Sequence, residues 1–393
     1  ASSFVFGELL LAIPVFIGWT WYADAHTALW ITVALLVITC PCALSLATPT
    51  ALAASTGALA KDGILISGKQ SLETLAQIDD VVFDKTGTLT KGQLSVSRIL
   101  RAGRLNEAQA LAVAQALEQQ SEHPIARAIL NHTLLDGPVS ALDVKVQQRV
   151  NRIGHGVSAQ IEFDDETQVW ALGKAAFVSE IAGNLPETFA HIDHTGGIIF
   201  LGNQSGFQTA FLLEDQIKDS AAEMLQNLKQ HGIRLHLLSG DRQAAVDQVA
   251  QELDLDAYRA EATPEDKLAY VENLQKQGRK VMMIGDGIND APVLAQADVS
   301  AAVATSADVA RDGADVVLLN DDLNVLPVMM EQARRTHQII RQNLTWASAY
   351  NLVAVPLAVF GYVTPWIAAL GMSFSSLLVL GNALRLLKTK KAV

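Results

Sequence analysis

Membrane-spanning α-helices joined to a soluble α/β body, in which a doubly wound parallel sheet carries an inserted α+β domain, are the fold class this sequence predicts. Three observations predict it. Half of the 393 residues are hydrophobic, and that apolar character concentrates at the two ends of the chain. The terminal apolar runs reach the roughly 20 residues a helix needs to cross a ~30 Å hydrocarbon core. Between them, short β-branched runs alternate with helical patterns, the βαβ arrangement of a parallel sheet wrapped by helices.

The first apolar run extends from Phe4 to Tyr22 and the second from Ala28 to Ala54; two more extend from Leu344 to Gly361 and from Val363 to Leu387. Trp19, Trp21 and Tyr22 gather at one end of the first, where an interfacial aromatic belt belongs. Lys61 and Lys69 follow the second run, Arg334, Arg335 and Arg341 precede the third, and Lys388, Lys390 and Lys391 follow the fourth. The loops around Asp24–His26 and Gly361–Thr364 carry no Lys or Arg. By the positive-inside rule the soluble body and the C-terminus are cytoplasmic in an integral membrane protein. The opening Ala1-Ser2-Ser3 has neither a methionine nor a basic n-region and reads as an internal cut. The expected divisions are 1–60 for the first two spans, 61–90 and 195–330 for the parallel-sheet domain, 91–194 for the insert, and 331–393 for the last two spans.

In the soluble body, Val81–Phe83 reads as a buried strand ending at Asp84. Further strands are expected at Leu235–Ser239, Lys280–Ile284 and Val316–Leu319, with helices such as Ser220–His231 between them. The insert has its own helices, Glu107–Gln119 and Pro124–His132. A formal net charge of −12 and the absence of a basic stripe exclude a nucleic-acid partner. The two cysteines, Cys40 and Cys42, exclude a disulfide framework and a Cys-x-x-Cys zinc site. Standing one residue apart, they are not expected to bridge, because the two Cβ vectors must converge.

Open parallel sheets bind ligands at the carboxyl ends of their strands. Asp84, Asp241 and Asp286 each follow such an end. One carboxylate there is equally well a turn or a helix cap. Three converging carboxylates point to a phosphate-plus-magnesium site, because hard Mg²⁺ takes oxygen ligands and offsets phosphate charge during transfer.

Asp84-Lys85-Thr86-Gly87-Thr88-Leu89-Thr90 resembles the phosphorylation motif of P-type ATPases, and Gly285-Asp286-Gly287-Ile288-Asn289-Asp290 resembles their hinge motif. The resemblance implies a haloacid dehalogenase-like sheet, ATP and Mg²⁺ as cofactors, and an aspartyl-phosphate on Asp84. It implies Asp84, Asp286 and Asp290 on the magnesium side, Lys267 compensating phosphate charge, and roles for Thr86 and for Ser239-Gly240-Asp241, where the family more often has Thr-Gly-Asp. The wider fold family often places a general acid–base aspartate two residues after its nucleophile; Thr86 there lets the phosphoenzyme persist. The insert resembles the nucleotide-binding domain of heavy-metal P-type ATPases: Ser121-Glu122-His123-Pro124 preceded by Glu118, and Gly154-His155-Gly156, imply ATP contacts by Glu118, His123, Gly154 and Gly156. Lys174 departs from the Asn of related pumps and is assigned no contact.

Proline in Cys40-Pro41-Cys42 frees backbone carbonyls and kinks the second span, and two thiolates make a soft ligand pair that selects Cu(I) or zinc over Ca²⁺. Without further context, two buried cysteines are as readily small apolar residues. The motif resembles the ion site of heavy-metal pumps. Tyr350-Asn351, Met372 and Ser376 resemble the signatures of their copper(I) subgroup, with silver as an accompanying substrate; the Lys and Asp expected of the zinc type do not occur between Leu344 and Leu387. The resemblance further implies a copper chaperone as donor, a lipid environment and a bacterial inner membrane. Ser45 is similar to the residue in pumps that supply copper for cytochrome oxidase assembly. No Thr-Gly-Glu of an actuator domain occurs, which implies a C-terminal part of a pump that is charged on Asp84 and discharged slowly. The alternatives are a zinc/cadmium-type pump and a membrane-tethered phosphatase.

Overall fold

The computed structural model describes residues 2–68, 70–134, 144–163, 166–192, 194–286, 290–303, 313–320 and 322–389. Lys69, Lys390 and Lys391, used above for orientation, and residues 287–289 of the hinge motif lie outside them. The chain opens with α1 (Ser2–Tyr22), α2 (Ala25–Ile38) and α3 (Cys42–Lys61), followed by β1 (Ile64–Ile66), α4 (Ser71–Leu75) and β2 (Asp80–Asp84). Next come β3 (Thr90–Arg101), α5 (Glu107–Glu118), α6 (Pro124–Asn131), β4 (Lys145–Arg152) and β5 (Gly156–Phe163). They lead to β6 (Glu166–Gly173), α7 (Ala175–Ala182), α8 (Glu187–Ala190), β7 (Gly197–Asn203) and β8 (Gly206–Ile217). The chain continues through α9 (Ala221–Gln230), β9 (Arg234–Leu238), α10 (Gln243–Glu252), β10 (Ala257–Arg259) and α11 (Pro264–Lys276). It closes with β11 (Val281–Gly285), α12 (Ala291–Gln296), β12 (Val299–Ala302), β13 (Val316–Leu318), α13 (Val325–Val359) and α14 (Pro365–Ala383).

Two sheets organise the soluble body. Seven strands run in the order β1-β13-β12-β11-β2-β9-β10, parallel except for the β1 edge. Alternation along the central strands serves both faces. Val81, Phe83, Leu237 and Ile284 enter one core beneath α9 and α13, whereas Val82, Leu238, Val281 and Met283 enter another beneath α11 and α12. A strand buried on both faces must read as a continuous apolar run, which β2 and β11 do. The second sheet, β3-β8-β7-β6-β5-β4, is antiparallel. It takes in residues 197–217, so the insert extends beyond residue 194, where the sequence reading ended it. The reason is a hairpin: Asn203-Gln204-Ser205-Gly206 turns β7 back onto β8, which then pairs with β3.

The same face that receives α11 carries a buried charge cluster. Asp80 is fully buried; its carboxylate contacts Arg279 and lies 2.6 Å from Nε2 of His236, whose Nδ1 lies 2.9 Å from the Tyr270 hydroxyl. Tyr270 sits one helical turn after Lys267 on α11, so the cluster fixes that helix against the sheet.

Two terminal stretches, Ala25–Lys61 and Pro365–Leu387, are long and apolar enough to cross a membrane, and Leu10–Tyr22 is a shorter apolar helix. The second expected run is two helices: the chain breaks at Thr39–Pro41 between α2 and α3, a stronger interruption than a kink. The third run is the end of a helix that begins earlier, at Val325. The first turns of α13 pack Leu326, Met329 and Ala333 into the sheet core, and its C-terminal half is diluted by Tyr350, Asn351 and other polar residues. These helices present large apolar side chains outward, including Leu352 (78% exposed), Leu377 (65%) and Phe374 (62%), a surface that suits hydrocarbon and not water.

Candidate functional site

β2 and β9 are neighbours with Asp84 in register opposite Leu238, so Asp84 and the Ser239-Gly240-Asp241 turn leave the sheet side by side. The chain after Asp84 cannot continue as strand: Thr86 is extended and Gly87 takes φ +71°, a left-handed conformation glycine adopts without strain. That turn leaves Thr86 exposed in a cleft of about 1310 Å³ between the two sheets, also lined by Lys85, Gly240, Asp241 and Arg242. Lys85 pairs with Asp241 across the turn, and the Ser239 hydroxyl accepts from the Asp241 backbone N–H at 3.2 Å.

Lys267 comes from the first turns of α11, where Thr263 and Asp266 form a capping box and Pro264 opens the helix. Its Nζ donates to Asp84 Oδ1 at 2.6 Å and to both Asp290 oxygens at 2.8 and 3.0 Å. All three residues are buried. Burial pushes the Asp84 carboxyl up to about 7; Lys267 pulls it back, and the Asp290 charge adds to the rise. Burial acts to lower the Lys267 ammonium, but Asp84 and Asp290 outweigh it and hold the group above its usual range. The result is a buried carboxylate aimed at the strand-end opening with its charge held by one lysine.

Asp290, expected on the magnesium side, accepts from Lys267 through both carboxylate oxygens. Among the described residues no three His, Cys, Asp or Glu side chains come together as a metal-binding group. Magnesium still fits a smaller donor set. Asp84 ends β2, and Asp286 follows β11, the adjacent parallel strand. Mg²⁺ on nucleotide chemistry is commonly held by one or two carboxylates plus phosphate oxygens, which Asp84 and Asp286 can supply. The ion would there neutralise charge on a transferring phosphoryl group.

Two residues that the sequence does not single out brace the loop that follows Asp84. Asp215 of β8 accepts from the Thr90 hydroxyl at 2.6 Å and the Gln93 N–H at 3.1 Å, and Lys218 donates to the Gly87 carbonyl at 3.3 Å. Burial raises the Asp215 carboxyl against that hydrogen bond from Thr90. Their signal was two charged residues at the end of the apolar β8 run, and it carries no motif on its own.

The expected nucleotide residues lie in the insert. Glu118 ends α5 and His123 caps α6, its Nδ1 accepting from the Ile125 N–H at 3.2 Å. Burial raises the Glu118 carboxyl, opposed by Ser121, His123 and Arg149, which places these side chains together. Gly154 (φ +76°) has open space where a side chain would stand. Gly156 is held by packing: it pairs with Gly173, and a Cβ there would strike the Leu172 carbonyl and the Phe177 ring. None of Glu118, His123, Gly154 or Gly156 lines the cleft beside Asp84.

In the membrane region the break before α3 brings Cys40 to a small cavity of about 10 Å³, lined also by Pro41, Tyr350, Asn351, Met372 and Ser375. Ser375 replaces the expected Ser376, whose hydroxyl turns back to the Met372 carbonyl at 3.0 Å; one residue along a helix is a rotation of about 100°. The sulfurs of Cys40 and Cys42 converge on each other, with Cα atoms 5.5 Å apart, a closer approach than the sequence reading expected of cysteines one residue apart. The non-helical backbone at Pro41 is what lets both side chains converge.

Residues 78–298 match the model of the haloacid dehalogenase-like hydrolases. Over 97% of its length the chain is 38% identical to the cation-transporting P-type ATPase B of Mycobacterium bovis, covering 51% of that protein. It is 37% identical over 98% of its length to the probable copper-exporting P-type ATPase V of Mycobacterium tuberculosis, covering 50% of it. The chain thus spans about half the length of these curated relatives. A crystal structure of a zinc-transporting PIB-type ATPase in its E2·Pi state superposes with a TM-score of 0.84 at 31% identity, over 98% of this chain and 62% of that one.

Proposed function

Because this chain belongs to the haloacid dehalogenase-like hydrolases and, within them, to the heavy-metal P-type ATPases, we propose that it is the phosphorylated and ion-binding part of a copper(I)-exporting pump. Asp84 attacks the γ-phosphorus of ATP; the new Asp84 O–P bond forms as the bond to the ADP oxygen breaks. Lys267 holds the attacking oxygen and Asp290 holds Lys267. Glu118, His123, Gly154 and Gly156 take the nucleotide, so the insert must approach the strand ends for transfer, a domain closure of the usual kind. Thr86, in place of an acid–base group, leaves the phosphoenzyme unhydrolysed until another element supplies one, and this favours a pump over a tethered phosphatase.

The single observation that carries the copper reading is the cavity at Cys40. Cys40, the Met372 side chain, Tyr350 and Asn351 surround it, reduction of the Cys40–Cys42 pair frees the thiol for a soft ion, and no Asp, Glu or Lys occurs from residue 344 to 383. Soft sulfur without a carboxylate selects a monovalent soft ion. Copper(I) passed on by a chaperone, an inner bacterial membrane and cytoplasmic soluble domains complete this reading; the basic residues Arg334, Arg335 and Arg341 at the soluble end of the α13 span support that orientation. The test is titration of the reduced full chain with Cu(I) against a chromophoric chelator, with Zn²⁺ as competitor. Tight Cu(I) binding is expected, abolished by Cys40→Ser, weakened by Met372→Leu and unaffected by Zn²⁺. Zn²⁺ displacing Cu(I) overturns the copper assignment in favour of the zinc type of its structural relative.

A further inference from the structure

We propose that Arg149 is a positioning residue for the nucleotide base: from β4 it fixes the last turn of α5 and sets its positive charge behind the Glu118 carboxylate, which accepts from the amino group of adenine. The role rests on the reading of Glu118 and His123 as nucleotide contacts. Arg149 Nη2 donates to the Ala116 carbonyl at 2.6 Å. That carbonyl is one of the last four of α5, which find no partner within their own helix. A cation suits this end of the helix dipole, and Glu118 closes the same turn two residues on.

The backbone is bent to put Arg149 there. β4 is the outermost strand of its sheet, and its pairing with β5 loses register between Gln147 and Val150. Within that bulge Gln148 takes φ +52°, the left-handed region that side-chain-bearing residues rarely occupy. Val146 packs on the core of the insert, and regular alternation would send Gln148 and Val150 the same way. After the bulge Val150 is instead 59% exposed, and Arg149 turns to α5. Bulges re-aim side chains in this manner beside functional sites. The guanidinium also carries a cost, since its Nε is buried without a hydrogen-bond partner among the described residues. A strained residue followed by an orphaned donor is more than a helix end needs, and such outliers point to a function.

Glu118 is the group this placement serves. Burial raises its carboxyl, and Ser121, then the charges of His123 and Arg149, oppose the rise. His123 of α6 and Arg149 of β4 are the titratable groups that face it; β5 presents Val157, Ala159 and Ile161 to the shared core. His123 is already committed to capping α6 through Nδ1 and loses its charge near neutral pH. Arg149 stays charged throughout. An ionised carboxylate only accepts hydrogen bonds. Adenine offers an amino donor at C6, where guanine offers a carbonyl acceptor, so a Glu118 held in place and kept ionised selects adenine.

The test measures binding of the β,γ-imido analogues of ATP and GTP to the full chain by calorimetry. Arg149→Gln should weaken the adenine analogue about fivefold, the size expected for a charge acting on a neighbour, and leave the guanine analogue unchanged. Arg149→Lys, which keeps the charge, should restore most of the preference. Glu118→Gln should abolish it, and adding Arg149→Gln to Glu118→Gln should cost nothing further, because the arginine acts through the glutamate. An unchanged preference in Arg149→Gln, an equal loss for both analogues, or additive effects in the double variant overturns the role of Arg149 while leaving Glu118 as a nucleotide contact. A Glu118→Gln chain that binds both analogues as the wild type does overturns the nucleotide reading itself.

Discussion

Lys267→Met is expected to slow phosphoenzyme formation from ATP by about 10²–10³-fold, the loss typical of removing one preorganised charge-stabilising donor. Lys267 bridges two buried carboxylates, 2.6 Å from Asp84 and 2.8 Å from Asp290. Without it Asp84 and Asp290 face each other unshielded, and one must take a proton. Asp84 already stands at about 7 with Lys267 in place, and Lys267 acts to lower it. Its removal therefore raises Asp84 further, and the acidic limb of the labelling-rate profile should move to higher pH. Lys267→Arg should restore part of the rate, because charge is retained while the compact ammonium geometry is lost. Initial rates of labelling from γ-labelled ATP across pH check this; a rate within threefold of wild type, with an unmoved profile, contradicts the role.

Asp80→Ala is expected to destabilise the fold by about 3–5 kcal/mol, because it strands a buried charge partner. Asp80 is fully buried against Arg279 and His236, and deletion leaves Arg279 without its carboxylate in a side-chain environment only 11% exposed. Thermal unfolding followed by tryptophan fluorescence should show a midpoint lower by on the order of 10 °C. Asp80→Leu combined with Arg279→Met, which removes both charges, should recover much of the loss. The cluster also holds Tyr270 on α11, so a milder loss of phosphorylation through displaced Lys267 should accompany the single change. A midpoint shift below about 2 °C would mean the cluster contributes no more than a surface pair.

Much of this was legible in the chain. Val81–Phe83 and Lys280–Ile284 are apolar on both faces, and only a sheet covered on both sides needs that. Their carboxyl ends then placed Asp84, Asp241 and Asp286 at one edge without further information. The pairing of Asp290 with Lys267 was not legible, since it depends on how α11 packs across the strands from a position 23 residues away. In sequence the β7–β8 hairpin reads as part of the parallel sheet, because its strands are also apolar on both faces: Leu201 and Leu213 pack in one core, Phe207 and Leu212 in another. The start of α13 was missed for the opposite reason. Hydropathy marks where a helix becomes apolar, not where it begins, and Val325–Asn343 is held by the sheet core and by polar contacts such as Thr336 to Ser55 at 2.8 Å. The substitution of Ser375 for Ser376 at the cavity is a matter of helix rotation, set by packing against α3 and α13.

The central claim is that Asp84 forms the covalent phosphate. Incubating the full chain with γ-labelled ATP and Mg²⁺, followed by acid quench, tests it directly. The account predicts acid-stable label released by hydroxylamine, located on Asp84 and absent from Asp84→Asn. Label that persists in Asp84→Asn, or that resists hydroxylamine, would contradict it.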